Sequence, residues 1–333
     1  MVRVVFMGSP DWAVPSLLAL ADALAHPAPG GAAGTLIGAC TQPDRPKGRG
    51  RALEPCPVKR AALGLGLPVR SPASLKDPAG QALLAEWRPE LVIVCAYGLI
   101  LPRAMLDLPR LGCYNLHFSL LPRWRGATPV QAAVLAGDAA TGVSLQRMVE
   151  ALDAGPLVAS TPPLAIGPDD DAASLGVRLA QAAAGLLRET LPSLLQGHAH
   201  LAEQDASQAT FCRRLSKADG AVRFEEESAL TLERKVRAYQ PWPGCHAYCG
   251  GLRLALERVE VLAPEALAAI PPGTVPGTLL AGGVVPAAQG AVRLLRVKPQ
   301  GKASMPWHAF AHGHPQALGC VLRAAPPVPS GSG

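Results

Sequence analysis

The 333-residue chain has no apolar run that approaches the ~20 residues a membrane-crossing helix needs. Hydrophobic residues make up 49% of it, but Pro, Gly or a charge interrupts every run early. The start, M-V-R-V-V-F-M-G-S-P, has neither a charged segment followed by a long apolar one nor an Arg/Ser-rich transit pattern, so cytoplasmic residence away from membranes is expected. Close cysteine pairs are also missing. The eight cysteines stand at 40, 56, 95, 113, 212, 245, 249 and 320, which suits neither a zinc site nor a small disulfide scaffold and points to reduced, mostly buried thiols. Neither His308, His312 and His314 nor Cys245, His246 and Cys249 makes a four-ligand set, so no metal is expected. Gly8, Gly48 and Gly50 do not form the G-x-G-x-x-G turn of a dinucleotide site, and no internal repeat is visible.

What is present is an alternation of short apolar runs with helix-like stretches. Val2–Met7, Thr35–Thr41, Leu91–Ala96 and Cys113–His117 read as buried strands, with helical patterns at 14–25, 58–65, 79–87 and 128–136. Strands joined by helical crossovers imply an α/β fold with a parallel sheet, whose ligands sit beyond the carboxyl ends of the strands. Two further strands are expected at 142–149 and 156–162, around the turn L-D-A-G, followed by a long helix to about Leu195. Periodicity fails from Gly197 to Lys217, so the expected organisation is a domain at 1–196, a linker at 197–217 and a second domain at 218–323. A Pro/Gly/Ser-rich disordered tail is expected at 324–333. Strand-like runs at 253–261, 273–280, 284–287 and 291–297 suggest that the second domain is a small β-barrel. All of the excess charge is C-terminal. Residues 1–209 balance 17 Lys/Arg against 17 Asp/Glu, whereas residues 210–333 hold 14 against 8 and carry the whole net +6. Such an asymmetry suits a polyanion partner, although solvated side chains give the same count.

Chemistry concentrates in Tyr114–Gly126, Y-N-L-H-F-S-L-L-P-R-W-R-G. Asn115 and His117 are two apart on a strand, so alternation puts an amide donor and an acid/base group on one face. Transfer of an acyl group to an amine needs both: a base for the amine proton and donors for the developing oxyanion. By itself the pair also suits a structural histidine. Asp153 in the L-D-A-G turn adds a carboxylate able to orient the imidazole, or one that merely caps nearby backbone N–H groups.

The run N-L-H-F-S-L-L-P-R-W-R-G, followed by A-T-P-V-Q-A-A-V-L-A-G-D and L-D-A-G, resembles the folate-dependent formyltransferases. The resemblance covers about 2–302. It implies a Rossmann-like catalytic domain followed by an OB-like barrel, with Asn115, His117 and Asp153 as the catalytic set. It also implies 10-formyltetrahydrofolate as formyl donor, bound by Tyr97, Gly98, Leu99, Ser119, Leu120, Leu121 and Pro122, with no metal. The same motif serves several acceptors within the superfamily. The loop T-Q-P-D-R-P-K-G-R-G-R-A-L-E-P-C-P-V-K at 41–59 resembles the basic loop of members that act on aminoacyl-tRNA. Arg45, Lys47, Arg49 and Arg51 in it suit phosphate contact, as they would also suit a solvated loop. L-S-K-A-D-G at 215–220 and R-A-Y-Q-P-W-P-G at 237–244 resemble the C-terminal part of those members, which is associated with tRNA docking. The implied acceptor is initiator methionyl-tRNA, with no obligate protein partner. An amino-sugar nucleotide acceptor and a non-catalytic RNA-binding role are the alternatives. G-S-P-D-W at 8–12 resembles the acceptor side of the family site, where Trp12 would contact the methionyl side chain or simply pack. Phe118 stands where the family carries a small residue, and Ala151 and Ala154 replace commoner residues around Asp153.

Overall fold

The computed structural model describes residues 1–27, 31–47 and 52–326, with the backbone alone for Lys47 and Ala52. The chain forms two compact units. One takes Met1–Pro129, Ala140–Ala165 and Leu175–Arg213; the other takes Val130–Ala139, Ile166–Ser174 and the described residues from Arg214 onward.

The first unit is built on seven strands: β1 (Val2–Gly8), β2 (Gly34–Cys40), β3 (Val69–Arg70), β4 (Leu91–Cys95), β5 (Cys113–His117), β6 (Ser144–Arg147) and β7 (Leu157–Ser160). They pair in the order β7-β6-β5-β4-β1-β2-β3. β1 to β5 run parallel, and β6 is antiparallel to both of its neighbours. β4, L-V-I-V-C, is buried at all five positions, the apolar run expected of a strand covered on both faces. The helices α1 (Val14–Ala25), α2 (Pro57–Gly64) and α3 (Pro78–Ala85) make the crossovers. At the start of α3 the Asp77 carboxylate accepts the Gly80 N–H at 2.7 Å, which answers one of the donors a helix leaves open at its N-terminus.

The chain runs from β1 outward to β2 and β3, then returns to β4 on the other side of β1. A sheet of this kind opens a crevice where the order reverses, beyond the carboxyl ends of the strands. Three loops are tied together there. Ser9 Oγ donates to the Tyr97 carbonyl at 3.2 Å and accepts from Gln42 N at 3.1 Å, while Gln42 Nε2 donates to the same carbonyl at 3.0 Å.

After α4 (Pro129–Ala136) and β7, the 25-residue α5 (Ala172–Gln196) buries Leu175, Leu179, Leu186, Leu187, Leu191 and Leu194 along one side. The stretch beyond it reads from the sequence as a connector, yet as far as Arg213 it is part of the first unit. Phe211–Cys212 pairs in parallel with Arg125–Gly126, and Thr210 takes the Arg125 and Trp124 N–H groups at 2.8 and 2.9 Å.

The second unit is a curled antiparallel half-barrel. After α6 (Ala229–Ala238) come β8 (Cys245–Cys249), β9 (Leu252–Val261), β10 (Val284–Pro286), β11 (Ala291–Pro299) and β12 (Met305–Pro306), then α7 (Trp307–Gly313) and β13 (Leu322–Arg323). The order is β10-β11-β9-β8-β13, with β12 on β11. Phe224, Leu232, Val236, Leu254, Leu256, Leu294, Val297 and Phe310 are buried in it. The strand expected at 273–280 is instead turn-rich backbone with one isolated bridge, Thr278 to Val321, because Gly273 and Gly277 have φ of +79° and +88°, outside the extended region. No helix among the described residues is long and apolar enough to cross a membrane.

Candidate active site

β5 ends at the crevice, and its register with β6 decides what faces it. Asn115 lies opposite Gln146 and His117 opposite Ser144, so these four side chains share one face of the sheet. The His117 imidazole is buried, and one of its two nitrogens is hydrogen-bonded. Since a carbonyl can only accept, Nε2–H donates to the Trp124 oxygen at 2.8 Å, which leaves Nδ1 facing Asp153 Oδ2 at 3.6 Å. Asp153 is fixed in turn: Oδ2 accepts from Gly126 N at 2.9 Å and Oδ1 from Gln146 Nε2 at 2.7 Å. Among the described residues, nothing bonds to the amide of half-buried Asn115, whose donors are therefore open to a ligand.

A further layer holds this one. The Gln204 amide donates to the Asp153 and Gly155 carbonyls at 2.9 and 2.7 Å, and its oxygen accepts from buried Arg125 at 3.1 Å from Nε and 2.8 Å from Nη2. Sequence reasoning assigned no role to Gln146, Gln204 or Arg125. Gln146 was reachable by alternation from β6 and Arg125 by its place in the motif, but nothing local marks Gln204.

Positive φ among non-glycine residues is found at four described positions, Arg88, Ala96, Trp124 and Asp153. The last three lie in loops around the crevice, where strain is commonly kept for function. The left-handed residue of the L-D-A-G turn is thus Asp153 itself, at +49°, and Ala151 and Ala154 carry no such demand. Gly155 is required for another reason: a Cβ there would stand 1.8 Å from the Arg147 carbonyl.

The S-L-L-P loop is braced from within. Ser119 Oγ donates to the Arg123 carbonyl at 2.6 Å, while Ser144 Oγ donates to Ser119 O at 2.9 Å and accepts from Leu121 N at 3.0 Å. Ser119 and Leu121 are buried, and Leu120 and Pro122 are half-buried. In the loop after β4, Gly98 is exposed and Leu99 half-buried, but the Tyr97 ring lies in the core with its hydroxyl 3.3 Å from Cys40 Sγ. Burial raises the Tyr97 phenol and pushes the Cys40 thiol up to about 11. Tyr97 therefore offers the crevice its backbone, not its ring.

Phe118 turns onto Trp12, with centroids 6.2 Å apart and planes 27° from parallel. Trp12 also packs on Gly176, where a Cβ would meet the indole at 2.2 Å. The large ring beside His117 is thus seated in a stack.

The basic loop begins as a short hairpin in which Arg45–Lys47 pairs with Ala52–Glu54. Arg45 is exposed and donates to Gln42 Oε1 at 2.6 Å, and Lys59 pairs with Asp44 at 2.8 Å. The Lys47 side chain, and Arg49 and Arg51 altogether, lie outside the described residues. Among the described residues, no three His, Cys, Asp or Glu side chains gather as an ion would require, and the eight thiols are free.

A buried imidazole between a carbonyl and a doubly bonded carboxylate, with an open amide on the same face, is the equipment of acyl transfer to an amine. The chain belongs to the formyl transferase family: residues 2–191 match the family described as "Formyl transferase" and residues 214–315 "Formyl transferase, C-terminal domain". It is similar to the methionyl-tRNA formyltransferase of Methylococcus capsulatus, at 43% identity over 94% of this chain and 97% of that one. The methionyl-tRNA formyltransferase of Nitrosococcus oceani is also 43% identical, over 96% of this chain and 95% of its own. The fold is shared with an N-formyltransferase from Helicobacter canadensis, whose structure holds folinic acid and dTDP-3-aminofucose. That likeness has a TM-score of 0.61 at 13% identity, over 88% of this chain and 98% of the other.

Proposed function

We propose that this chain transfers the formyl group of 10-formyltetrahydrofolate to the α-amino group of initiator methionyl-tRNA, in the cytoplasm. The observation that carries the chemistry is the His117–Asp153 pair beside an open Asn115 amide on one face at the carboxyl end of the sheet. The methionyl-tRNA formyltransferases, matched along nearly their whole length, supply the acceptor.

The amine nitrogen bonds to the formyl carbon, the bond from that carbon to the folate nitrogen breaks, and one proton moves from the amine to the leaving nitrogen. Asn115 donates to the formyl oxygen as charge develops there. His117 and Asp153 take the amine proton as a pair: the ring is held at Nε2 by the Trp124 carbonyl, and Nδ1 lies beside the fixed carboxylate. Leu99, Gly98, the Tyr97 backbone and residues 119–122 line the folate side, and Trp12 flanks the methionyl side. Arg45, with Lys47, Arg49 and Arg51, meets tRNA phosphates, and the half-barrel at 218–323, within the C-terminal stretch 210–333 that holds the excess charge, docks the tRNA body.

Labelled formyl donor supplied with charged initiator tRNA or with an amino-sugar nucleotide tests this reading. Label is expected on the tRNA. Label on the sugar alone, or on neither, contradicts it.

A further inference from the structure

The two C-terminal motifs, L-S-K-A-D-G and R-A-Y-Q-P-W-P-G, are separated by 16 residues in the chain but adjacent in the second unit. Gly220 packs so tightly on the turn at Gly244 that a Cβ would stand 2.0 Å from the Gly244 carbonyl, and Val222 N donates to His246 O at 3.0 Å. Between them opens a cavity of about 750 Å³, lined by Lys217, Arg223, Trp242, Pro243, His246 and Arg253. This volume falls in the range of pockets that hold small organic ligands, roughly 300–1,000 Å³.

Its chemistry is selective. Trp242 keeps 49% of its surface exposed, unusual for an indole that could be packed. Lys217 and Arg253 form no ion pair among the described residues, and Arg223 has only Glu226, at 3.8 Å. Asp219, the acid nearest in sequence, is turned back to cap the Ser216 N–H at 2.6 Å and its hydroxyl at 2.8 Å. His246 Nδ1 is buried with no hydrogen-bond partner among the described residues. Burial first, then Arg253 and Lys235, lower its proton affinity and keep it neutral. Unpaired cations beside an exposed aromatic face match a base to be stacked and a phosphate to be neutralised.

We propose that this cavity is a nucleoside-phosphate site, in which Trp242 stacks the base and Lys217, Arg223 and Arg253 hold the phosphate. Its natural source, which rests on the tRNA reading above, is a nucleotide of the bound tRNA. A free nucleotide has the same chemistry.

Calorimetric binding of uncharged initiator tRNA and of AMP to the full chain tests the proposal. Trp242→Ala and Arg253→Gln are each expected to weaken tRNA binding about tenfold, and Arg253→Gln to reduce the salt slope by about one. Trp242→Phe keeps a stacking face and is expected within about threefold of wild type, as is Lys76→Gln, an exposed cation of the first unit. AMP that competes with tRNA and is lost in Arg253→Gln extends the site to free nucleotides; tRNA loss without AMP binding restricts it to nucleotides in a chain. If neither Trp242→Ala nor Arg253→Gln moves tRNA binding beyond twofold and AMP does not bind, the proposal is overturned, whatever the formyl-transfer assay shows. If wild type binds no tRNA, the tRNA reading fails, and AMP binding that both variants abolish still upholds the site.

Discussion

The crevice at β5 and the cavity beside Trp242 handle polar groups in opposite ways. In the crevice almost every one is answered: His117 by Trp124, Asp153 by Gly126 and Gln146, and Arg125 by Gln204. In the cavity Lys217 and Arg253 stand without a counter-ion among the described residues. Proton transfer and oxyanion stabilisation demand fixed atoms, and hydrogen bonds from both sides fix them. Phosphate binding demands charge, which works through long, mobile side chains and is weakened if spent on internal ion pairs. Geometry marks the first region and composition the second.

The comparison breaks most sharply at His117. His117→Ala is expected to lower kcat by about 10³-fold or more, within the range for loss of an acid/base group, while tRNA affinity stays within about twofold. Steady-state kinetics alongside filter binding reads both numbers. Gly155→Ala comes next, since its Cβ must displace the turn that carries Asp153; kcat is expected to fall by about 10²-fold, and a melting curve should show a lowered midpoint. Gln204→Ala leaves the Arg125 guanidinium and two turn carbonyls unanswered. It is expected to cost about 2–3 kcal/mol in denaturant unfolding and about tenfold in kcat. Smallest is Arg45→Gln, expected to weaken tRNA binding a few-fold and to reduce its salt slope by about one, with kcat at saturating tRNA unmoved. If Arg45→Gln lowered kcat as Gln204→Ala does, the division between the two regions would dissolve.

Local pattern carried much of the fold. β5 at Cys113–His117 and α1 at Val14–Ala25 follow the apolar periodicity residue for residue, because one is a buried run bounded by polar turns and the other an Ala/Leu helix entered through Pro15. Elements without a periodic signature were not legible. β13 is two residues long, and the strand read at 273–280 is broken by glycines whose positive φ depends on surroundings the chain order does not display. In the crevice, the spacing of Asn115 and His117 announced a shared face. The ring of Tyr97 inside the core and the hold of Gln204 on the Asp153 turn, 51 residues away, arise only from tertiary packing. The seat of Phe118 against Trp12 is of the same kind, a contact between two loops distant in the chain.

We propose that Asp153 serves chemistry beside His117, and that binding lies elsewhere. Single-turnover formyl transfer by Asp153→Asn, with donor and charged initiator tRNA both saturating, tests it most directly, because the substitution keeps the shape of the side chain and removes its charge. A rate lowered by about 10²-fold or more with tRNA affinity unchanged is expected. A rate within about threefold of wild type, or a loss explained wholly by weaker tRNA binding, contradicts it.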